Sequence, residues 1–418
     1  MEIHLPYGKT TIPMEISPER VLQTGINRMP VRQSGIELVR QAMENPIGTP
    51  QLSQLAQGKK NAVVIISDHT RPVPSRDIIP LMLQQLRQGN PDIAITLLVA
   101  TGCHRGTTVA ELEQKLGADI VRREKISVHD AFDQQANVQL GVLPSGAPMI
   151  IDRLAAETEL LVAEGFIEPH FFAGFSGGRK SVLPGVCAQE TVLGNHCGAF
   201  ICSEKARTGI LEDNPIHRDM EAGAQMANLQ YIVNVLIDDR KRTAAAFAGD
   251  FRKAHAAGVA FLRRYCQVRP IPGDVIVTTN GGAPLDQNLY QCVKGLTAAE
   301  ATAKSGATIV LCAEMADGLG GDQFYRDMRD CESPESLYHQ FSHTAQADTV
   351  PDQWQTQILC RVLMKHRVIL VTRPEMQDYI EEMKMEYAPD LDTALTMAGS
   401  GEITVIPDGV SVFICQED

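Results

Sequence analysis

Short runs of aliphatic, largely β-branched residues alternate with longer amphipathic segments along this chain. The runs at 61–67, 93–100 and 160–163 predict buried strands, and the segments 75–89 and 108–116 predict helices between them. Strands connected by helices pair in parallel, because each connecting helix returns the chain to the same end of the sheet. The sequence therefore predicts an α/β fold with largely parallel sheets.

The alternation stops once and then resumes. Residues 268–273 read V-R-P-I-P-G, a composition typical of a linker, and 418 residues exceed what one hydrophobic core usually supports. Beyond the break we expect strands at 274–279, 307–313, 367–372 and 403–407, with a helix over 284–303. We predict two α/β domains, 1–267 and 274–418, with the active site in a cleft between them.

Composition excludes several classes of function. The net charge of −13 argues against non-specific nucleic-acid binding and against a cationic membrane-surface role. No apolar run approaches the roughly 20 residues needed to span a bilayer, and the start M-E-I-H-L-P-Y-G lacks the features of a signal peptide. The ten cysteines are scattered without a C-x-x-C pair, which indicates reduced core residues. We therefore expect a cytoplasmic protein.

A glycine-rich segment over 167–181 reads I-E-P-H-F-F-A-G-F-S-G-G-R-K-S and brings His170 close to Lys180. Glycines at 174, 177 and 178 could adopt positive φ and let an anionic group approach the backbone, as in a cofactor cradle, or could serve only a tight turn. The segment is not a nucleotide-triphosphate loop, since Arg179 replaces the second required glycine and Pro184-Gly185 interrupts the following helix.

Polar loops follow two of the predicted strands, S-D-H-T-R-P at 67–72 and T-G-C-H-R at 101–105. Ligands of open α/β sheets bind beyond the carboxyl ends of strands, so both loops are placed for function. His104, His170 and His196 lie in loops or among glycines, where they could form a metal site or carry protons, although their spacing matches no zinc signature. Six other histidines are expected on the surface or on helix faces without a special role: His4, His217, His255, His339, His343 and His366.

Other candidates have two interpretations each. Asp68 could cap a helix beginning near 72–74, whereas Arg71 beside it suits bidentate recognition of a carboxylate or phosphate. Gln291 and Lys294 would share one face of a helix, either solvated or turned toward a site. Trp354, the single tryptophan, is a structural aromatic or part of a lid.

Taken together, these motifs resemble the nickel-pincer lactate racemase family. The resemblance rests on S-D-H-T-R-P, T-G-C-H-R, E-P-H-F-F-A-G-F-S-G-G-R-K-S-V-L-P-G, G-N-H, Y-Q-C-V-K-G and the lone Trp354, in that order along the chain. It is most specific in the central block, where His170 lies ten residues before Lys180 and His196 sixteen after it.

The resemblance implies a cofactor, pyridinium-3,5-bisthiocarboxylate mononucleotide (the nickel-pincer nucleotide), made by dedicated biosynthesis enzymes. It implies that Lys180 carries this group through a thioamide, that His196 is a nickel ligand and that His104 and His170 are the catalytic acid–base pair. Two further sets are implied to bind the cofactor and the substrate: Asp68, His69, Thr70, Arg71 and Tyr290 for the cofactor, and Arg71, Gln291, Lys294 and Trp354 for the substrate.

The implied reaction is inversion of the hydroxyl-bearing carbon of a small 2-hydroxy acid, lactate or similar, by hydride transfer. Two alternatives stay open. One is racemisation of a larger 2-hydroxy acid, malate-like, aromatic or sugar-derived, with Cys103, Phe171 and Phe172 shaping the pocket; the other is a non-catalytic sensor that only captures a carboxylate.

Overall fold

A computed structural model of the chain describes residues 1–26, 29, 34–238 and 240–415. The strands are β1 Glu2–Tyr7, β2 Thr10–Glu15, β3 Asn61–Ser67, β4 Ala94–Ala100, β5 Lys125–Val128, β6 Asn137–Val142, β7 Pro148–Asp152, β8 Leu161–Phe166, β9 Pro169–His170, β10 Gly174–Phe175, β11 Leu229–Ile237, β12 Thr243–Gly249, β13 Gln267–Val268, β14 Gly273–Thr279, β15 Ala303–Cys312, β16 Arg367–Val371, β17 Glu386–Ala388, β18 Ile403–Ile406 and β19 Phe413–Ile414.

The α-helices are α1 Gly35–Glu44, α2 Leu52–Leu55, α3 Ser75–Gly89, α4 Val109–Leu116, α5 Ala118–Arg123, α6 Arg153–Glu157, α7 Gln189–Asn195, α8 Gly198–Cys202, α9 Pro215–Met226, α10 Lys253–Cys266, α11 Leu289–Glu300, α12 Asp322–Asp330, α13 Pro334–His343, α14 Gln353–Leu363, α15 Gln377–Glu382 and α16 Leu391–Ala398. Short 3-10 turns occur at Pro18–Arg20, Gly178–Ser181, Gln346–Asp348 and Pro374–Met376. None of the helices in the described ranges is both long and apolar enough to cross a membrane.

Two sheets organise the molecule. The first has the order β12-β11-β8-β3-β4-β5 and is parallel except for β12, which pairs antiparallel with β11 at one edge. The second, β17-β16-β15-β14-β18, is parallel throughout. The predicted α/β fold with largely parallel sheets is therefore confirmed.

Burial on both faces explains why the central strands read as continuous apolar runs. In β3, Val63 and Ile65 belong to one hydrophobic cluster, and the alternate residues Val64 and Ile66 belong to another on the opposite face of the sheet. Side chains of a strand alternate between faces, so a strand covered by helices on both sides needs apolar residues at every position.

The start of helix α11 and the start of strand β15 differ from the prediction. The helix expected over 284–303 is shorter, because Asn288 caps its start by accepting a hydrogen bond from the backbone of Gln291. Residues 303–306, expected partly as helix, begin β15 instead, four residues before the predicted strand at 307. The first residues of that strand are half-buried or exposed, so they carry no apolar run to reveal them.

The amino-terminal hairpin of β1 and β2 lies against the second sheet. Leu5 and Met14 share a core cluster with Val275 and Val277, and the backbone N–H of Leu22 donates to the carbonyl of Val405 over 2.8 Å. The division into 1–267 and 274–418 stays a proposal, within which this hairpin and residues 20–22 belong to the first segment but contact the second sheet.

The structure tests the positions that the sequence predicted for the cysteines and for six of the histidines. Six of the ten cysteines are buried in the core: Cys187, Cys197, Cys266, Cys292, Cys312 and Cys360. Cys103 is exposed instead. The expected surface or helix-face position is wrong for His366, which is buried, 7% exposed, and lies outside any helix, whereas His255 lies on helix α10 but is buried, 4% exposed.

Candidate active site

Three loops that carry the candidate side chains leave adjacent strands at the same edge of the first sheet. The register aligns Ser67, the end of β3, with Ala100, the end of β4, so Asp68 and Thr101 begin neighbouring loops. β8 pairs with the other side of β3 and leads into the loop with His170. Parallel pairing thus gathers the predicted motifs at the carboxyl edge, as expected for a ligand site.

Asp68 holds His104 in a defined orientation. The buried carboxylate, 1% exposed, accepts a hydrogen bond from His104 Nδ1 over 2.7 Å and from the Thr70 hydroxyl over 2.7 Å. Burial opposes ionisation of Asp68, but the hydrogen bond and charge of His104, with Arg71, outweigh it and lower the pKa of the carboxyl. Because Nδ1 donates to a carboxylate, Nε2 of neutral His104 keeps its lone pair and can accept a proton.

The interpretation of Asp68 as a helix cap is wrong. Helix α3 begins at Ser75 after Pro74, and no side chain caps that end. Of its neighbours, His69 turns toward Thr107, with Nδ1 3.2 Å from the hydroxyl, while Arg71 is exposed. The positive charge of Arg71 nevertheless acts on Asp68 and on the site residues Glu168, His170, Lys180 and Lys294.

His170 and Lys180 form a second pair in a contrasting environment. The backbone N–H of Ala173 donates to His170 Nδ1 over 3.3 Å, and Nε2 lies 3.1 Å from Lys180 Nζ. Since Nδ1 already accepts a hydrogen bond, the proton of neutral His170 is on Nε2 and is donated to Lys180. Only an uncharged amine can accept it, so this geometry requires Lys180 to be neutral.

Electrostatics agree with that assignment. Burial, followed by the charges of Lys180, Lys294 and Arg71, lowers the pKa of His170 well below its usual range. Burial, followed by the charges of Arg179, Arg71 and Lys294, lowers the pKa of Lys180 in the same way. A neutral lysine amine is a nucleophile, which is the property that covalent attachment of a cofactor requires.

The glycines before Lys180 serve backbone packing rather than an open cradle. A Cβ on Gly177 would lie 2.8 Å from the Asn234 side-chain oxygen, and one on Gly178 would lie 2.9 Å from the His255 ring. Both glycines have positive φ, and the N–H of Gly178 donates to Asn234 over 2.7 Å. The tight-turn interpretation therefore holds for these two glycines, whose side-chain space is already filled by protein.

The side chain of Arg179 points into the protein interior and binds the backbone of this loop. The buried guanidinium donates to the carbonyls of Ala173 and Phe175, each over 2.8 Å, and lies 3.1 Å from Nε2 of His255. This arginine therefore fixes the backbone on which Lys180 is carried. His255, for which no special role was expected, takes part in the same arrangement.

His196 is a buried histidine with an unused ring nitrogen. It follows helix α7, is 5% exposed, and its Nδ1 has no hydrogen-bond partner among the described residues. Burial, together with the charge of Lys180, lowers its pKa to about 3, so the ring is neutral. Phe172 and Trp354 pack edge-on against it, each with ring centroids 5.1 Å apart. A neutral imidazole with an unpartnered nitrogen suits a metal ligand.

The three candidate histidines do not gather into one metal site. Within the ranges 1–26, 29, 34–238 and 240–415, no three histidine, cysteine or acidic side chains are placed to hold a metal ion together. His104 pairs with Asp68, His170 pairs with Lys180, and His196 packs between aromatic rings. The arrangement gives no support to a plain three-histidine metal site.

The second half of the chain contributes a half-buried cation. Lys294 on α11 donates to the Gln291 side chain over 2.8 Å, as the three-residue spacing predicts. Burial, with Arg71, lowers the pKa of Lys294 to about 8. The interpretation as a solvated helix face is therefore wrong. Tyr290, on the same helix, is half-buried as well, and its backbone carbonyl accepts a hydrogen bond from Gln355 on α14, the helix that carries Trp354.

Residues from both halves line one small cavity. Its walls include Glu168 and His170 from the first half and Lys294 and Thr297 from the second. Glu168 was not among the predicted site residues. Burial raises the pKa of its carboxyl, against the charges of Lys294 and Arg71. The sequence feature that could have identified Glu168 as a site residue is its position two residues before His170, just after strand β8 ends.

A second acidic residue was missed inside β8 itself. Glu164 is 2% exposed, and one of its carboxylate oxygens accepts hydrogen bonds from Ser75 over 2.7 Å and from the backbone of Ser67 over 3.2 Å. It thereby ties the start of α3 to the end of β3, next to Asp68. A lone glutamate within the run L-V-A-E-G-F was the signal.

Comparison with known proteins is consistent along the whole chain. Residues 7–209 match the family model "Lactate racemase N-terminal domain", and residues 268–414 match "Lactate racemase C-terminal domain". The chain belongs to the lactate racemase family. The lactate racemases of Thermoanaerobacterium thermosaccharolyticum and Lactiplantibacillus plantarum are 48% and 47% identical to it over 420 residues, covering 99% of each chain.

Solved structures extend the likeness to three dimensions. The lactate racemase apoprotein from Thermoanaerobacterium thermosaccharolyticum superposes with a TM-score of 0.95 at 47% identity and covers 100% of both chains. A protein from Thermotoga maritima, 16% identical, covers 93% of this chain and all of its own with a TM-score of 0.68, which shows a shared fold. The family predicted from the motifs is confirmed, and the chain is an enzyme of that family.

Proposed function

We propose that this enzyme racemises lactate or another small 2-hydroxy acid. The observation that carries the proposal is the pairing of His170 with a neutral Lys180, beside a second histidine, His104, held by Asp68. Two proton carriers and one nucleophilic amine at the same sheet edge suit a racemase with a covalently held cofactor. The full-length similarity to two lactate racemases supports the substrate class.

We propose nickel and the pyridinium-3,5-bisthiocarboxylate mononucleotide as the cofactor, and the chain's donor atoms fit that group. The neutral Lys180 amine suits thioamide attachment, and the unpartnered ring nitrogen of His196 suits the metal. Asp68, His69, Thr70, Arg71 and Tyr290 would surround it. When bound, the group supplies a reversible acceptor for the hydride of the substrate's Cα.

The chain's own residues account for proton movement. A carboxylate next to Cα disfavours a carbanion there, so removal of the hydroxyl proton must accompany loss of hydride rather than of a Cα proton. His104 Nε2 accepts that proton from one enantiomer, while Asp68 stabilises the imidazolium that forms. His170 serves the opposite enantiomer, which is why racemisation needs two histidines.

The substrate carboxylate is held by cations from both halves. Arg71 offers a guanidinium fork, Lys294 a half-buried ammonium, and Gln291, already bonded to Lys294, an amide donor. Trp354, packed on His196, closes one side. A small cavity of about 20 Å³ lies beside His170 and Lys294.

Chiral chromatography with cofactor-loaded protein tests this function directly. The protein is produced together with the cofactor-making enzymes, checked by intact mass and nickel content, and incubated with single enantiomers of lactate, malate, phenyllactate and a sugar acid. Interconversion of lactate faster than of the larger acids is expected. Carboxylate binding without interconversion of any acid would instead indicate the non-catalytic sensor.

A further inference from the structure

A second cavity lies behind the small one, at the junction of the two halves of the molecule. Its volume is about 330 Å³, within the range of roughly 300–1,000 Å³ typical of small-ligand pockets. The two cavities share four lining residues, Phe171, Thr208, Thr297 and Val412. A molecule in the second cavity would therefore be separated from His170 and Lys294 by one layer of side chains.

The charged residues that line this cavity are mostly cationic. Arg207, Arg361 and Lys365 contribute three positive charges, and Glu300 contributes one negative charge. The chain as a whole has a net charge of −13, so the excess of positive charge is a local feature of this cavity. Partly enclosed cations without matching carboxylates attract small anions.

The hydrogen bonds of these groups leave donors unused. Glu300 accepts from Arg361 Nη2 over 2.7 Å and from Lys365 over 3.2 Å. Arg361 is 4% exposed, and its Nη1 has no hydrogen-bond partner among the described residues. Arg207 uses Nη1 to bind the carbonyls of Ser203 and Ala206, over 2.7 and 2.8 Å.

Arg207 and Arg361 also act on each other as like charges. Burial, followed by the nearby guanidinium of Arg361, lowers the pKa of Arg207 to about 10. An anion between the two guanidinium groups would offset this repulsion, because a carboxylate accepts hydrogen bonds from guanidinium groups through both of its oxygens.

The remaining walls are mostly apolar, apart from Thr208 and Thr297. Phe171, Ile210, Ala298, Phe413 and Ile414 face the same space. Inorganic phosphate has no apolar part to place against them, whereas a short-chain carboxylate has a charged end and an apolar end. We propose that this cavity is a second binding site, separate from the one beside His170 and Lys294, for a small carboxylate with a short apolar substituent. The proposal depends only on these lining residues and stands whether or not the proposed function is correct.

Calorimetric titration of the cofactor-free chain with propionate tests the site. Propionate lacks a hydroxyl group and cannot be racemised, so binding is measured apart from catalysis. Saturable binding is expected, weakened about 10-fold or more by Arg207→Met or Arg361→Met, since a charged hydrogen bond is lost. Lys365→Met, at an exposed position, should weaken it about 3-fold.

Matched controls locate the bound molecule. Arg367→Met removes an exposed arginine that pairs with Glu386 outside the cavity and should leave propionate affinity unchanged. Lys294→Met should also leave it unchanged. Loss of binding in Lys294→Met with retention in the Arg207 and Lys365 variants would place propionate beside His170 and overturn the proposal.

Three further results would also overturn it. One is absence of propionate binding by the unaltered chain. Another is inorganic phosphate binding as tightly as propionate. The third is propionate binding only after deletion of 416–418, which follow the lining residue Cys415 and include two acidic residues. Circular dichroism and thermal unfolding verify each variant; if an arginine variant does not fold, Arg207→Lys and Lys365→Met decide the outcome.

Discussion

The two candidate proton carriers occupy opposite electrostatic environments. His104 has a half-exposed side chain hydrogen-bonded to the ionised carboxylate of Asp68. His170 has the neutral Lys180 as its ring partner and is subject to the charges of Lys294 and Arg71. A carboxylate stabilises an imidazolium, whereas burial among cations destabilises it. One fold therefore prepares one histidine to accept a proton and the other to stay neutral.

The contrast shows what a neutral histidine contributes to a cofactor site. Because His170 donates Nε2–H to Lys180, it stabilises the uncharged amine, which is the form that the proposed cofactor attachment requires. Asp68 does nothing comparable for a lysine. In the proposed reaction the two histidines would serve opposite enantiomers, and they differ already in the partners that they have before a substrate binds.

The largest effect is expected when Lys180 becomes a permanent cation. Lys180→Arg should abolish cofactor attachment and racemisation completely, since a guanidinium is not nucleophilic and cannot accept the His170 proton. Intact mass after production with the cofactor-making enzymes measures the adduct. Lys60→Arg, at an exposed position, is the control and should keep it. An adduct on the Lys180→Arg protein would contradict the assignment.

Next in size is removal of either proton carrier. His104→Ala and His170→Ala should each lower kcat by about 10²- to 10⁴-fold in both directions, the usual loss for one acid–base group. The adduct and nickel should remain, as shown by intact mass and metal analysis, whereas His196→Ala should lose nickel. Near-normal turnover in either alanine variant would show that the proton carriers are wrongly assigned.

A smaller effect is expected when only the partner of His104 is changed. Asp68→Asn removes the charge that orients the ring and stabilises its protonated form, and kcat should fall about 10- to 100-fold. Steady-state kinetics with loaded protein measure it, and Thr70→Val, which removes the other partner of Asp68, should cost less. If Asp68→Asn lowers activity as much as His104→Ala, Asp68 does more than orient the histidine.

The smallest effect is expected in the pH dependence of folding stability. It comes from His217, which lies outside the site and near two arginines. Burial, with Arg179 and Arg252, lowers the pKa of His217 from 6.5 to about 3. Between these values the unfolded chain binds more protons, so stability is complete above about pH 6.5 and falls as the pH drops toward 3. His217→Asn should flatten this slope by up to about 1.4 kcal/mol per pH unit in denaturant unfolding. His339→Asn, at an exposed position, should not, and equal slopes for all three proteins would refute the prediction.

Much of the fold could be predicted because burial on both faces leaves a continuous apolar signal. Strand β3 was predicted with its observed ends, and helix α3 likewise. The hairpin of β1 and β2 was not predicted, since only Leu5 in β1 and Met14 in β2 are buried. A strand that buries only one side chain against the sheet shows almost no alternation of apolar and polar residues in its sequence.

Within the site, sequence spacing identified side chains but not their partners. Gln291 and Lys294 were predicted to share a helix face and do, because both lie on one helix. The pairing of Asp68 with His104 joins two loops 36 residues apart, and that of Glu164 with Ser75 spans 89 residues. Such contacts depend on the order of strands in the sheet, which the linear pattern does not contain.

The position of the amino-terminal hairpin has a mechanical consequence. Because residues 2–15 lie on the second sheet while α1 lies on the first, the chain passes between the halves before α1 and again near β13. The backbone therefore connects the two sheets at two places, and any change in their relative position has to be accommodated by both connections.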